Sequence, residues 1–153
     1  STLTDTIPIN EAAYARAGIK VKYNIISAGY YPTVMNPAKQ SDLSATGWGA
    51  DWANASTVIP ELFTTAGGFN ISQNSADPGY KAFEAKVAVA MKTTDRTKQA
   101  AMWKALDKEA MKNFWVLPVT FGKAQEIWGS ALHNVFFWVP QGNPAYGKIW
   151  VKE

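Results

Sequence analysis

The sequence predicts a mixed α/β fold in which a mixed β-sheet is flanked by helices, and three observations support this class. Apolar residues recur at helical spacing in two segments, 78–92 and 94–113. Residues 19–26 alternate apolar and polar side chains, which is the period of a strand with one buried face. Several short runs rich in β-forming residues follow residue 114. At this length we expect one domain spanning residues 1–153.

The N-terminal half is expected to combine short helices with short strands. A first helix should run from Asn10, a suitable N-cap, to Ala17, because Gly18 suits a left-handed C-terminal cap. The elements expected after it are a strand at 19–26, a second short strand at 42–48 and a short helix at 58–64.

The two longest helices have clear signals at their N-termini. Asp77 is expected to cap the helix over 78–92, because Pro78 then takes the first helical position, where its missing N–H costs nothing. Asp95 is expected to cap the second helix, which ends near Asn113. The two helices should form a helical hairpin.

The C-terminal part is predicted to consist of strands. The run 114–121 is apolar and rich in β-formers, and Pro118 places it at an edge or a bulge because proline cannot donate to a ladder. Further short strands are expected at 124–128, 134–139 and 148–151.

Composition narrows the class of protein. The chain is 47% hydrophobic and 13% aromatic, which is typical of a folded globular domain. The net charge of +3 is mild and its basic residues are spread along the chain, so no nucleic-acid partner is expected. No apolar run approaches the roughly 18 residues of a membrane span, and no signal peptide is recognised.

Few residues are suited to catalysis or to metal binding. The chain has no cysteine and a single histidine, His133, which we expect in a turn. Zinc sites and nucleophile–base pairs therefore lack candidates, and no glycine-rich phosphate loop is present, so we expect no metal, no cofactor and no enzyme activity. Asp51 and Glu61 remain the one carboxylate pair that could act in hydrolysis.

Most aromatic side chains are expected in the core, but two tryptophans differ. The core candidates are Trp103, Trp115, Trp128 and residues 136–138. Trp48 and Trp52 instead bracket Asp51 in the stretch 47-GWGADWANAS-56. Because an unpaired buried carboxylate is costly, Asp51 should meet a cation. That cation is either an internal lysine or arginine, which spacing slightly favours, or the ammonium of a ligand.

Five short blocks follow one another along the chain: 18–21 (GIKV), 42–52 (DLSATGWGADW), 70–74 (NISQN), 94–96 (TDR) and 116–119 (VLPV). In their order and separations these blocks resemble the C-terminal part of the oligopeptide/dipeptide-binding family of ABC-transporter solute receptors, extracellular solute-binding protein family 5. The resemblance covers about residues 10–151.

The resemblance implies a fragment of a larger receptor. The chain would be the C-terminal lobe of a type II periplasmic-binding-protein fold, with final strands at about 134–151 returning toward a missing N-terminal lobe. It implies an extracytoplasmic protein, periplasmic or at the cell surface, anchored as a lipoprotein through the missing N-terminus. Its partners would be a peptide or other small solute, the missing lobe and the membrane permease of an ABC transporter. The isolated fragment is expected to bind poorly.

The resemblance also implies a binding site. In peptide-binding members the matching aspartate meets the N-terminal ammonium of the peptide, a role that passes to Asp51 with Trp48 beside it. The site residues expected are Trp48, Gly49, Ala50, Asp51, Trp52 and Asn54.

The class of ligand stays open at this stage. Where the family often continues with an acid and a proline, this chain has Ala53, Asn54 and Ala55. One alternative is an oligosaccharide receptor in which Trp48 and Trp52 stack on sugar rings. A second alternative is a glycan-cleaving enzyme that uses the Asp51 and Glu61 carboxylates.

Overall fold

The computed structural model describes residues 2–119, 123, 125–139 and 142–152. Helices and small antiparallel sheets are both present in these residues, in agreement with a mixed α/β class at a coarse level. The helices are α1 (Thr2–Asp5), α2 (Ile7–Arg16), α3 (Tyr30–Val34), α4 (Ile59–Phe63), α5 (Tyr80–Lys92) and α6 (Arg96–Lys112). The strands are β1 (Leu132–His133), β2 (Phe137–Trp138), β3 (Asn143–Pro144) and β4 (Trp150–Val151).

Contacts between residues divide the chain into two units, Ser1–Leu43 and Ser44–Glu153. In the first unit, α2 starts earlier than predicted, because the proline in its first turn favours helix initiation there. Asn10 is inside the helix, where its N–H donates to the Thr6 carbonyl at 3.0 Å, so its predicted capping role is wrong. Gly18 is confirmed as the left-handed residue after the helix, with φ of +75°.

The strands predicted at 19–26 and 42–48 are not formed. A strand needs a neighbouring strand to bond its backbone N–H and C=O groups, and no described residue pairs with either segment in a ladder. Ile19 and Ile25, the expected buried face of the first segment, are exposed. Alternation of side chains was therefore insufficient to predict pairing.

The second unit is built on the helical hairpin of α5 and α6, as predicted. Phe83, Val87 and Ala90 form the buried stripe of α5, while Trp103 and Leu106 belong to that of α6. Such spacing aligns side chains on one face of each helix and drives the two faces together. The whole buried cluster consists of Ile59, Phe63, Phe83, Val87, Ala90, Trp103, Leu106 and Ala110.

The two predicted caps of this hairpin have different outcomes. Asp95 is the N-cap of α6, and its carboxylate accepts hydrogen bonds from the N–H groups of Thr97 and Lys98, both at 3.0 Å. Asp77 does not cap α5. This helix begins at Tyr80, and its N-cap residue, Gly79, makes no side-chain hydrogen bond. The Asp77 carboxylate instead accepts a hydrogen bond from the Trp115 indole, a partner that sequence spacing could not reveal.

The C-terminal part contains two antiparallel two-stranded sheets, one pairing β1 with β4 and the other pairing β2 with β3. The predicted strands at 134–139 and 148–151 therefore shrink to β2 and β4. Residues 114–119 and 125–128 are not in strands, and the predictions for 120–121 and 124 lie outside the described residues. His133 is in β1, not in a turn, and its ring stacks on Trp150 at a centroid distance of 4.3 Å.

The predicted aromatic core is confirmed only in the hairpin. Trp103 is buried, and Trp115 is partly buried against the hydrophobic cluster. Trp128 and the aromatic residues at 136–138 are all exposed, so their assignment to the core is wrong. The physical reason is that sheets only two residues long are too small to cover large side chains.

Candidate functional site

The tryptophan–aspartate stretch forms a loop that leads into α4. Asn54 has an extended backbone and caps a 3₁₀ turn at Ala55–Thr57, because its side-chain oxygen accepts the Ser56 N–H at 2.9 Å. Asparagine is suited to this position because its short side chain reaches the free N–H groups of the next turn. The turn folds Thr57 back toward Asp51.

Asp51 is exposed, and one buried hydroxyl fixes its orientation. Thr57, only 3% exposed, donates its hydroxyl to Oδ2 of Asp51. The backbone N–H of Asp51 in turn donates to Oγ1 of Thr57 at 3.3 Å. No described residue donates a hydrogen bond to Oδ1 of Asp51.

No described lysine, arginine or histidine forms an ion pair with Asp51. The ion pair found in the described part of the chain joins Lys86 and Glu109 across the hairpin at 2.7 Å. The internal partner that spacing slightly favoured is therefore not present in these residues. Among these residues, the group that contacts the Asp51 carboxylate is the neutral hydroxyl of Thr57.

The two tryptophans have different surroundings. The Trp48 indole is half-buried, donates its N–H to the Thr57 carbonyl at 2.8 Å and packs on Phe69 at a centroid distance of 4.5 Å. Trp52 is 54% exposed, and its N–H donates to Oγ of Ser56 at 3.3 Å. Trp48 thus forms a fixed part of the loop, whereas about half of the Trp52 side chain is exposed.

Of the predicted site residues, Trp48 and Asp51 meet on Thr57, while Asn54 is directed toward the helical hairpin. The Nδ2 group of Asn54 donates to Oε1 of Gln99 at 2.9 Å. Gly49 and Ala50 are exposed in the loop beside Asp51. In this loop the Asp51 side chain is therefore exposed, and the Asn54 side chain is hydrogen-bonded to the hairpin.

Glu61, the second carboxylate considered for hydrolysis, is hydrogen-bonded to the backbone. Its Oε2 atom accepts the Gly68 N–H at 2.5 Å. No hydrogen bond in the described part of the chain joins Glu61 to Asp51 or to a shared group. In that same part, no three His, Asp or Glu residues are grouped as metal ligands would be.

Two open clefts lie in the C-terminal part and not at Asp51. The larger, about 270 Å³, is lined by Trp138, Pro144, Ala145, Tyr146, Gly147 and Lys148. The second, about 220 Å³, is lined by Glu126, Trp128, Val135, Phe136, Phe137 and Pro144. Their walls are largely apolar, so they offer few groups that would orient a polar ligand.

Three residues of the site were missed in the sequence. Thr57 has a weak local signal, since a threonine three positions after a capping asparagine completes a turn. Phe69 and Gln99 have no local signal in the sequence. Gln99, for example, is 45 positions away from its partner Asn54. Contacts between such distant positions depend on the tertiary fold.

In comparisons with known proteins, no family model, no curated protein and no solved structure matches the chain. Among the residues that the structure describes, none of the helices has the length and apolar character needed to cross a bilayer.

Proposed function

We propose that this chain is the ligand-binding C-terminal lobe of an ABC importer solute receptor with the type II periplasmic-binding-protein fold. The receptor would bind peptides in a cleft between two lobes. Asp51 would pair with the N-terminal ammonium of the peptide. The proposal starts from the resemblance of the five sequence blocks and is supported by the contacts of Asp51.

The single observation that supports peptide binding is the environment of the Asp51 carboxylate. It is exposed, it is oriented by the buried Thr57 hydroxyl, and it has no cationic partner among the described residues. A preoriented carboxylate loses little conformational entropy when a ligand cation binds, which favours affinity. An ammonium is the natural partner because it donates hydrogen bonds and neutralises the charge.

The expected contribution of this contact is measurable. A hydrogen bond to a charged group contributes about 1.5–3 kcal/mol. That free energy corresponds to roughly ten- to a hundred-fold in affinity. The remaining affinity would come from main-chain bonds to the peptide and from pockets that accept varied side chains.

In this function, closure of the two lobes around the peptide would signal the membrane permease of the transporter. The receptor would work outside the cytoplasm, held at the membrane by a lipid anchor in the N-terminal part of the full protein. Trp52 would cover one side of the bound N-terminus with its exposed ring, while Trp48 keeps the loop in place.

The test compares trialanine with N-acetyl-trialanine by NMR titration of the 153-residue chain, following the amides of residues 47–57. This method measures the weak affinities expected of one lobe. Asp51→Ala should weaken the free-amine peptide about ten-fold or more and barely change the acetylated one. Asp107→Ala, an exposed acid on α6, makes the same charge change elsewhere and should leave both affinities unaltered.

Two results would contradict the ammonium role. One is an equal loss of affinity for both peptides in Asp51→Ala. The other is a wild-type chain that responds identically to the free and acetylated peptides across the titration.

The exposed ring of Trp52 favours a second candidate, an oligosaccharide receptor. A half-exposed indole whose N–H is already bonded presents an apolar face of the kind that stacks on sugar rings. Titration with a linear oligosaccharide would then shift the amide signals of residues 47–57, and Trp52→Ala would abolish these shifts. No observation favours the hydrolase alternative, since no described contact joins Asp51 and Glu61.

A further inference from the structure

Gln99 connects the loop of Asp51 to the helical hairpin. Its side chain is 95% buried in the first turns of α6, with 5% relative exposure. The amide Nε2 donates to the Ala90 carbonyl near the end of α5 at 3.0 Å. The Oε1 atom accepts from Nδ2 of Asn54 at 2.9 Å and from Nη1 of Arg96 at 3.0 Å. Both ends of this amide therefore have partners.

Asn54 is the loop residue that is hydrogen-bonded to Gln99. Its oxygen caps the 3₁₀ turn through the Ser56 N–H, and its amide nitrogen is held by Gln99. An asparagine whose side-chain oxygen and nitrogen are both hydrogen-bonded has one allowed orientation, because rotating the amide would lose both bonds. The start of the turn is consequently fixed relative to α6.

The 3₁₀ turn connects Asn54 to Asp51, the proposed binding group. Thr57 ends the turn, donates its hydroxyl to Asp51 and accepts the Trp48 indole N–H on its carbonyl at 2.8 Å. The Thr57 N–H donates to the Asn54 carbonyl at 3.3 Å, so the bonds run without a gap from the hairpin through Gln99, Asn54 and Thr57 to Asp51. Connected polar groups of this kind rigidify a site when every member is satisfied.

We propose that Gln99 is a positioning residue for Asp51: by holding Asn54 on the hairpin, it sets the carboxylate in the orientation that receives a ligand ammonium. The role in ligand binding rests on the proposed function, whereas the effect on the loop does not. Gln99 touches no ligand in this proposal, and it acts only through the turn.

The atoms of Gln99 predict which substitution removes this role. Gln99→Met has a similar length but removes the oxygen that accepts from Asn54. In this variant the Ala90 carbonyl keeps the Thr93 N–H as a partner at 3.2 Å, so the hairpin end stays hydrogen-bonded. Gln99→Glu is not a conservative change, because it would replace the Nε2 donor to the Ala90 carbonyl by an oxygen that repels this carbonyl.

The first measurement needs no ligand and uses hydrogen exchange of the Trp48 indole N–H in the 153-residue chain. Gln99→Met should speed this exchange on the order of ten-fold, the loss of about one hydrogen bond's protection. Gln125→Met makes the same chemical change at an exposed position and serves as the control. Unchanged exchange in Gln99→Met would overturn the proposal.

A second variant tests the same link from the loop side. Asn54→Ser keeps a capping oxygen but is too short to reach Gln99, so it should also speed Trp48 exchange on the order of ten-fold. If Gln99→Met fails to fold, this variant decides the question. Exchange at the wild-type rate in Asn54→Ser would then exclude the positioning role.

The second measurement is the affinity ratio of trialanine to N-acetyl-trialanine. A purely structural role would lower thermal stability and leave this ratio unchanged, whereas a positioning role lowers the ratio in Gln99→Met. Faster Trp48 exchange with no amine preference in the wild type would remove the proposed function but keep the loop contact. A preserved ratio in a folded Gln99→Met would remove the positioning role and keep the function.

Discussion

Tyr80 donates its phenolic hydroxyl to Oε1 of Glu84, one turn further along α5, at 2.8 Å. The same carboxylate oxygen accepts the Thr65 hydroxyl at 2.7 Å, and the Thr65 N–H donates to the Tyr80 oxygen at 2.6 Å. These three residues join the loop after α4 to the start of α5. Hydrogen bonds from Thr65 and then Tyr80 hold the pKa of Glu84 below its ordinary value.

This contact predicts a stability that depends on pH. A carboxyl whose pKa is lowered in the folded state stabilises the fold above its unfolded pKa, about 4.3, and the stabilisation is lost as the pH falls through the folded pKa. Glu84→Gln should therefore be less stable than wild type at pH 7, and the difference should shrink in acid. Urea unfolding between pH 7 and 3 measures it. A difference that is constant with pH would contradict the assignment.

The Thr57 hydroxyl is predicted to control the affinity of the Asp51 site. Thr57→Val keeps the shape of the side chain but removes the donor to Asp51, so the carboxylate should become mobile. We expect a loss of about five- to ten-fold in affinity for trialanine, the effect of one ordinary hydrogen bond. Thr57→Ser keeps the hydroxyl and should bind like wild type in the same NMR titration. Equal losses in both variants would point to packing.

Gly67 is predicted to tolerate no side chain. A Cβ atom there would overlap the backbone carbonyls of Pro60 and Glu61, neither of which can rotate away. Gly67→Ala should reduce the free energy of unfolding by about 1–3 kcal/mol. Gly79→Ala is the matched control, since a Cβ at Gly79 meets nothing within 4 Å. Chemical denaturation of the two variants should separate them clearly, and similar stabilities would show that the loop adjusts freely.

Asp95 is predicted to stabilise α6 as its N-cap. Asp95→Ala leaves the N–H groups of Thr97 and Lys98 without this acceptor and should cost about 0.5–2 kcal/mol of unfolding free energy. Asp95→Ser should recover most of the loss because serine also caps helices. Asp107→Ala removes an exposed acid from the same helix and should change stability little. Thermal unfolding followed by circular dichroism compares the three.

The hairpin helices α5 and α6 could be predicted from the sequence because their signals are local. The spacing of Phe83 and Val87 on α5 and the capping side chain of Asp95 are each contained within a few residues. The strand predictions at 19–26 and 42–48 were wrong, because ladder pairing depends on a distant partner and neither segment finds one among the described residues. Asp77 failed as a cap for a related reason, since Trp115 competes for its carboxylate.

The candidate site was predicted in part. Trp48, Asp51 and Trp52 were identified from an unusual local composition, and the structure places them in one loop. The group that orients Asp51 was not predicted, because the weak turn signal at Asn54 shows neither that Thr57 is buried nor that it donates to Asp51. Gln99 was beyond reach for a stronger reason, since its partner belongs to another part of the chain.

The uneven burial of the seven tryptophans has a practical consequence for spectroscopy. Trp103 is enclosed, whereas Trp52, Trp128, Trp138 and Trp150 are each about half exposed in the native chain. Indole emission from the folded protein will therefore already be partly red-shifted, and it will change only modestly when the chain denatures. A chain that retained only Trp103, with phenylalanine at the other six positions, would give a far cleaner optical signal of hairpin opening.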